Sequence, residues 1–300
     1  MTRYLERVMA GEPATVTEWN DHLIAFHRAY TGATPALVTD MRAPDGRGSY
    51  DLLAQWIKTL APGARDILDV GCGDGTLVRE LTRTFGPNVA LTGIDLSEDE
   101  LARARATSPN ARLLRGDASA ANLGQKSYDV VTSHLAFMAM SEIRTILARL
   151  RGALRSDGML IFVCEDPLSG GAIFELVLEA IAILRGRASS FAPIVPQREP
   201  IEHDEVLCGL LRDAGFAAVR VEHFSLRGKL AEEQLWAFIE QCYPLGLLEP
   251  ALRGGLHDAM RLRLQAIVRS GAVVDFPLRF VAACAQKEAR TRTVPTEGDP

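Results

Sequence analysis

Cysteine is scarce in this chain, with five residues in 300, and no two of them form a Cys-x-x-Cys pair. Scattered single cysteines predict neither a zinc site nor a disulfide framework. An odd number of them fits a reducing compartment, so we expect a cytoplasmic protein. The five positions are Cys72, Cys164, Cys208, Cys242 and Cys284.

Long hydrophobic runs are also missing. The first thirteen residues contain no apolar stretch of the kind found in a signal peptide. The most apolar helical segment, 172–184, is too short to cross a bilayer and contains Glu175 and Glu179. We therefore expect no membrane partner.

There is no excess of positive charge. The chain has 33 Lys and Arg against 38 Asp and Glu, a net charge of −5. Such a surface does not attract a phosphate backbone, which argues against DNA or RNA as the main partner. The 47% hydrophobic and 24% charged residues are typical of a folded protein, and 300 residues suffice for one enlarged domain or two.

What the sequence does contain is a regular alternation of short apolar strands and amphipathic helices from residue 66 onward. This pattern predicts an α/β fold with a doubly wound parallel sheet. We predict an N-terminal helical lid at 1–62, a core at 63–287 and a flexible tail at 288–300. Helical lid insertions are expected at about 168–200 and 229–272.

A glycine-rich turn, ILDVGCGDGT, follows the first strand of the core and contains Gly71, Gly73 and Gly75. The spacing is GxGxG and not the GxGxxG of dinucleotide-binding turns, which makes a nicotinamide dehydrogenase the weaker alternative. Asp69 precedes the first glycine by two residues. A carboxylate there suits a cationic amine, or a water network, better than a pyrophosphate.

Two further acids end the next two strands. Asp95 in TGIDLS is placed to accept hydrogen bonds from ribose hydroxyls, and Asp117 in RGDAS from an adenine amino group. Each alone would more often be an ordinary turn or helix-capping acid. Because Asp69, Asp95 and Asp117 end three successive strands, together they indicate an adenosine site.

At these motifs the sequence resembles the class I S-adenosylmethionine-dependent methyltransferases. The similar stretches also include YDVVTSHLAFMAM and LARLRGALRSDGMLIFVCE, so the resemblance covers residues 66–165. It implies a Rossmann-like sheet of seven strands with the last strand, FPLRFVAACAQ, antiparallel. It also implies S-adenosylmethionine as cofactor and S-adenosylhomocysteine as product.

The family's cofactor contacts are carried over by position. The resemblance implies that Asp69 and the turn from Gly71 to Gly75 hold the methionine part of the cofactor. Asp95 would hold the ribose. The remaining expected neighbours of the cofactor are Cys72, Leu96, Asp117, Ala118, Ser133 and His134. Tyr30 and Tyr50 precede the core and are expected either to cover the sulfonium by cation–π contact or to pack.

Four residues at strand ends are candidates for a general base. His134 follows the fourth strand, Glu165 and Asp166 follow the fifth, and His223 ends the sixth. The alternatives are a packing or capping histidine for the two imidazoles and a solvated turn for the two acids. The acidic stretch 202–205 opens a helix and favours capping over metal binding, so we predict no metal.

The acceptor is expected to be a small molecule. The sequence after the fourth strand is SHLA, without the NPPY or DPPY that marks adenine amino methylation in this family, and no Pro-Cys dipeptide occurs. The chain resembles methyltransferases of bacterial natural-product pathways, with an O, N or C nucleophile as acceptor. The alternative is a protein that binds the cofactor but catalyses a non-methylating step such as a cyclisation, or acts as a binding partner.

The apolar helix at 172–184 leaves three interpretations open. It would close over an apolar substrate, pair with a second subunit in a homodimer, or be buried within one chain.

Overall fold

A computed structural model describes residues 1–187 and 195–285. Four helices precede the sheet: α1 (Arg3–Ala10), α2 (Val16–Ala29), α3 (Ala33–Val38) and α4 (Ser49–Leu60). The strands are β1 (Asp66–Val70), β2 (Ala90–Asp95), β3 (Arg112–Arg115), β4 (Tyr128–His134), β5 (Leu154–Glu165), β6 (Phe216–Gly228) and β7 (Val274–Ala285). The later helices are α5 (Thr76–Phe85), α6 (Glu98–Thr107), α7 (Ile143–Ala153), α8 (Ala172–Arg187), α9 (Asp204–Asp213), α10 (Glu232–Glu240), α11 (Tyr243–Gly246) and α12 (Pro250–Ser270).

The seven strands form one sheet in the order β3-β2-β1-β4-β5-β7-β6. Strands β1 to β5 pair in parallel, and β7 runs antiparallel to both β5 and β6. This confirms the predicted doubly wound, mostly parallel sheet of seven strands with an antiparallel last strand. The strand order reverses between β1 and β4, which is where open α/β sheets bind ligands at their carboxyl ends.

Both faces of the sheet are covered. In β1, Ile67 packs into the apolar layer on one face, while Leu68 and Val70 pack into the layer on the other. Every residue of this strand after Asp66 is buried. A continuous apolar run is what a central parallel strand between two helical layers requires.

Two elements extend through residues that usually end them. Helix α3 contains Pro35 as its third residue. A proline is tolerated there because the first-turn N–H groups of a helix have no partner within it. Helix α7 ends at Ala153 and β5 begins at the next residue, so Ser156, Asp157 and Gly158 belong to the strand.

The inserted helices pack against the sheet. Helix α8 contacts β7, α10 and α12, and its side chains Leu176, Ala180 and Leu184 are buried. Burial within one chain therefore accounts for most of its apolar surface, although Leu178 is 63% exposed. In the described ranges no helix is long and apolar enough to cross a membrane. The tail predicted at 288–300 lies outside the described residues.

Candidate active site

Three adjoining cavities lie along the carboxyl edge of the parallel strands. The adenosine cavity, about 670 Å³, lies between α2 and the ends of β2 and β3. The turn cavity, about 500 Å³, surrounds the glycine turn, and the apolar cavity, about 820 Å³, lies between α3, α8, α10 and the end of β5. Gly71, Asp95 and His27 line the first two, Leu135 lines the last two, and Tyr243 lines all three. The shared walls make them one cleft.

The glycine turn brings bare backbone to this cleft. Gly71 has φ +71°, and a Cβ on it would lie 2.4 Å from the Cβ of Ala136. The Gly73 N–H donates to the Asp95 carboxylate at 2.9 Å. Cys72 is buried and lines the turn cavity. Gly75 differs from expectation, because it packs the start of α5 against Ala104 of α6 and is absent from the described cavity walls.

Asp69 is a buried carboxylate without a partner. It is 2% exposed, and neither of its oxygens has a hydrogen-bond partner in the described chain. Burial, with a contribution from nearby Asp95, raises its pKa to about 8. It lines the turn cavity. Since an unpaired buried carboxylate is costly, this site is complementary to a cation that arrives with a ligand.

Asp95 and Asp117 line the adenosine cavity together with Leu96 and Ala118. Asp95 accepts a second backbone hydrogen bond, from the Ser97 N–H at 2.8 Å, and burial raises its pKa. The Asp117 carboxylate accepts from the Asn20 side chain and from the Ser119 N–H, both at 2.8 Å. Both acids are therefore held in fixed orientations at the ends of their strands.

His134 reaches the turn cavity but is a weak base there. Its ring stacks on Tyr50 with 3.7 Å between centroids, and its Nε2 lies 2.9 Å from the Ser49 hydroxyl oxygen. Burial lowers its pKa to about 3, so the imidazole is neutral at physiological pH. Tyr50 lines the same cavity, next to the glycine turn.

Two residues expected beside the cofactor point elsewhere. Ser133 is fully buried, and its hydroxyl donates to the carbonyl of Val70 in the neighbouring strand β1 at 2.7 Å. Tyr30 donates to the Gly246 carbonyl and accepts from Arg253, each at 3.0 Å. In the described chain neither lines any of the three cavities, so the structure brings neither of them into the cleft.

Asp166 and His223, predicted as possible bases, belong to an ion cluster. Nδ1 of His223 lies 2.7 Å from Asp166 and Nε2 lies 2.8 Å from Asp204, whose other oxygen accepts from Arg279 at 2.9 Å. The two carboxylates raise the pKa of His223. The cluster joins the end of β5 and the start of α9 to the middle of β6 and β7. None of its members is among the described walls of the three cavities, so it has a structural position.

The acidic stretch at 202–205 begins α9, with His203 at the N-cap position. Across the described ranges, no group of three His, Cys, Asp or Glu side chains could hold a metal ion.

Glu165 reaches the apolar cavity. Among the described walls of that cavity, Glu165 is the residue that supplies a carboxylate, and burial raises the pKa of this group to about 7. Of the four predicted bases, it alone combines access to the cleft with a pKa near neutrality.

Sequence reasoning missed Asn20 and Tyr243 among the residues that close the cleft, whereas His27 was one that the N-terminal helix could turn either to the pocket or to solvent. Asn20 and His27 of α2 line the adenosine cavity, and Tyr243 belongs to an insertion. The His27 ring lies 3.1 Å from Glu100, and the Trp19 indole donates to the Ala139 carbonyl at 2.7 Å. The spacing of Trp19 and Phe26 is typical of a helix, but no motif in the sequence marks which of its faces meets a ligand.

Comparison with known proteins assigns the family. A family model described as a methyltransferase domain matches residues 67–158. Nocamycin O-methyltransferase of Saccharothrix syringae is 28% identical over 244 residues, 73% of this chain and 85% of the relative. Malonyl-[acyl-carrier protein] O-methyltransferase of Halalkalibacterium halodurans is 34% identical over 109 residues, 34% of this chain and 40% of the relative. The chain belongs to the class I S-adenosylmethionine-dependent methyltransferase family.

A third relative of this methyltransferase is a dTDP-3-amino-3,4,6-trideoxy-alpha-D-glucopyranose N,N-dimethyltransferase of Streptomyces venezuelae. It is 39% identical over 112 residues, 37% of this chain and 42% of the relative. In two of these three relatives the matched segment is less than half of the relative's length. S-adenosylmethionine is the methyl donor of the family and the cofactor of this methyltransferase.

Solved structures show the same fold. The [4+2]-cyclase SpnF has a TM-score of 0.56 at 18% identity, with 89% of this methyltransferase and 96% of that chain covered. Phosphoethanolamine N-methyltransferase 2 of Haemonchus contortus, in complex with S-adenosyl-L-methionine, has a TM-score of 0.54 at 18% identity, with 89% and 60% covered.

Proposed function

We propose that this methyltransferase transfers a methyl group from S-adenosylmethionine to an O, N or C nucleophile of a small apolar metabolite in bacterial natural-product biosynthesis. The adjoining cavities carry the proposal, because Tyr243 lines all three and Leu135 lines both the turn cavity and the apolar cavity. The relatives that act on nocamycin and on an amino sugar support a small-molecule acceptor.

The cofactor fits the first two cavities. The ammonium of its methionine part would pair with the unpartnered carboxylate of Asp69, beside the bare backbone at Gly71. Asp95 would accept from the ribose hydroxyls, with Leu96 against the adenine. Asp117 and Ala118 would face the adenine edge. When bound, S-adenosylmethionine supplies the electrophilic methyl group.

The chain's own contribution is to align the reactants and to exclude water, which can supply a large share of the acceleration of a two-reactant step. Tyr50 and His134 form a stacked wall beside the glycine turn. We propose that α2 and the inserted helices act as the lid over this wall. The donor and the acceptor would then meet in a dry site where Tyr243 touches both cavities.

The proposal also covers partners and location. A net charge of −5 argues against nucleic acid. We propose a cytoplasmic enzyme with no membrane partner, and the homodimer remains an open alternative.

The test is turnover with a panel of hydroxylated, amino and acidic-carbon small molecules, followed by mass spectrometry. We expect one S-adenosylhomocysteine for each acceptor that gains one CH2 in mass. Asp95→Asn should lose turnover, whereas Asp99→Asn, which changes a partly exposed aspartate on α6 that pairs with Arg28, should not. Conversion of an acceptor without consumption of S-adenosylmethionine would contradict methyl transfer and indicate a non-methylating activity.

A further inference from the structure

The apolar cavity has a distinct composition. Apolar side chains form most of its wall, and those from α2, α8, α10 and β7 are Phe26, Ile173, Phe174, Val177, Phe238 and Phe276. Such a wall selects an apolar molecule, since burying polar groups against it without partners would be costly.

Two hydrogen-bond acceptors stand out among the polar groups of this wall, which also include Thr34 and Tyr243. The Glu165 carboxylate is one, and Gln241 Oε1 is a second that is buried without a partner in the described chain. No Lys, Arg or His belongs to the described wall, so nothing there pairs with an anion. A ligand with a hydrogen-bond donor would therefore satisfy these acceptors. A negatively charged ligand would instead lie near the Glu165 carboxylate with no cation in the described wall to pair with.

We propose that the methyl acceptor is a neutral, apolar molecule that presents a hydroxyl group to Glu165, and that Glu165 takes the hydroxyl proton during transfer. This inference rests on the proposed methyl transfer and narrows it to O-methylation.

A hydroxyl fits better than the alternatives. An acidic acceptor would place like charges together. An ammonium acceptor would be repelled by the cofactor's sulfonium and has no lone pair until it loses a proton. A carboxylate whose pKa burial brings to about 7 is poised to accept a proton from an acidic hydroxyl near neutral pH.

Burial outweighs the charged group near Glu165: the positive charge of Arg198 lowers the pKa of this carboxyl, yet burial still raises it to about 7. Arg198 is a charged neighbour, but it pairs with Glu202 at 3.2 Å. Arg279 donates to the Glu165 backbone carbonyl while it pairs with Asp204. Cys242 and Tyr243, at the start of α11, also lie in this wall. Burial raises the pKa of the Cys242 thiol to about 12 and raises the pKa of the Tyr243 hydroxyl, so both groups stay neutral.

The step balances without another reactant. The hydroxyl oxygen forms the new O–CH3 bond, and its proton passes to the Glu165 carboxylate. The donor's S–CH3 bond breaks with its electron pair left on sulfur, which gives neutral S-adenosylhomocysteine. Glu165 then releases the proton to solvent, so each turnover yields one methyl ether and one H⁺.

Four probes with one skeleton test the inference: 1-naphthol, naphthalene, 1-naphthoate and 1-naphthylmethylammonium. Each is titrated calorimetrically into protein saturated with S-adenosylhomocysteine, between pH 6 and 9. We expect 1-naphthol to bind at least tenfold more tightly than 1-naphthoate above pH 7, where Glu165 is ionised. In Glu165→Gln the affinity for naphthol should stay within about threefold of wild type, whereas the affinity for naphthoate should rise. The rate of naphthol methylation should fall by about 100-fold or more, because the variant has no carboxylate to accept the proton.

Glu175→Gln is the matched control. This glutamate lies on α8 next to Phe174, but its carboxylate is 64% exposed and 3.7 Å from Arg263. It should behave as wild type. Equal affinity for naphthol and naphthoate, or no binding of naphthol, would contradict the inference. The inference would also be contradicted if the ammonium probe bound most tightly of the four and if Glu165→Gln abolished that binding. If S-adenosylhomocysteine itself failed to bind, the proposed function would fail first.

Discussion

At the residue scale, two buried acids define the two halves of the cleft. Asp69 faces the turn cavity and Glu165 faces the apolar cavity. For both, burial is the largest cause of a raised pKa, and neither side chain makes a hydrogen bond in the described chain. Each is therefore a site where a ligand supplies the missing partner, a cation for Asp69 and a hydroxyl for Glu165.

The raised pKa of Asp69 predicts a proton release on cofactor binding. With a pKa of about 8, Asp69 is mostly protonated at pH 7 in the free protein. The ammonium of S-adenosylhomocysteine favours the ionised form, so binding at pH 7 should release close to one proton from this group. Calorimetric titration in buffers of different ionisation enthalpy measures that number directly.

The release should vanish in Asp69→Asn and should fall in wild type above pH 8, where Asp69 is already ionised. Asp66→Asn serves as control, because Asp66 lies at the opposite end of β1 and pairs with Arg155 at 2.9 Å. An unchanged proton number in Asp69→Asn would show that another group titrates.

For three residues the side-chain contacts differ from those expected from the sequence. Gly75 lies in a glycine turn typical of cofactor binding, yet its lack of a side chain is needed against Ala104. Ser133 sits at the right strand end, but its side chain turns to the β1 carbonyl, and Tyr30 bonds to the insertion. Spacing in sequence predicts the backbone position of a residue. It does not predict which neighbour its side chain meets.

At the scale of elements, α2 closes the adenosine cavity from above the sheet. It is attached by the Asn20–Asp117 hydrogen bond, by Trp19 to Ala139, and by His27 to Glu100. Asn20 and Asp117 are 97 residues apart in sequence. That separation explains why the strand-end acids were predictable and their partner was not: strand ends share one edge by topology, whereas the docking of α2 depends on tertiary packing.

Loosening α2 should speed cofactor release. Asn20→Ala removes one hydrogen bond to Asp117, worth about 1 kcal/mol, which corresponds to roughly a fivefold weaker affinity for S-adenosylhomocysteine. We expect most of this change as faster dissociation, measured by stopped-flow fluorescence. Asp21→Ala alters an exposed residue of the same helix and should leave the rate unchanged. Equal rates in both variants would mean that α2 does not gate the cavity.

At the scale of the whole molecule, the two halves of the cleft have different origins. The sheet and its strand ends supply the adenosine and turn cavities, and their motifs were readable from the sequence. The apolar cavity is assembled from α2, α3, α8, α10 and α11, with contributions from the strand ends and β7. Its wall carries no motif because apolar residues at helical spacing look the same whether they meet a core or a substrate.

The most direct test of the whole account is one calorimetric titration series with S-adenosylhomocysteine, S-adenosylmethionine and NAD. The account predicts that both sulfur ligands bind with dissociation constants on the order of micromolar and that NAD gives no heat of binding. Binding of NAD alone, or of none of the three, would contradict the assignment of the adenosine and turn cavities to S-adenosylmethionine.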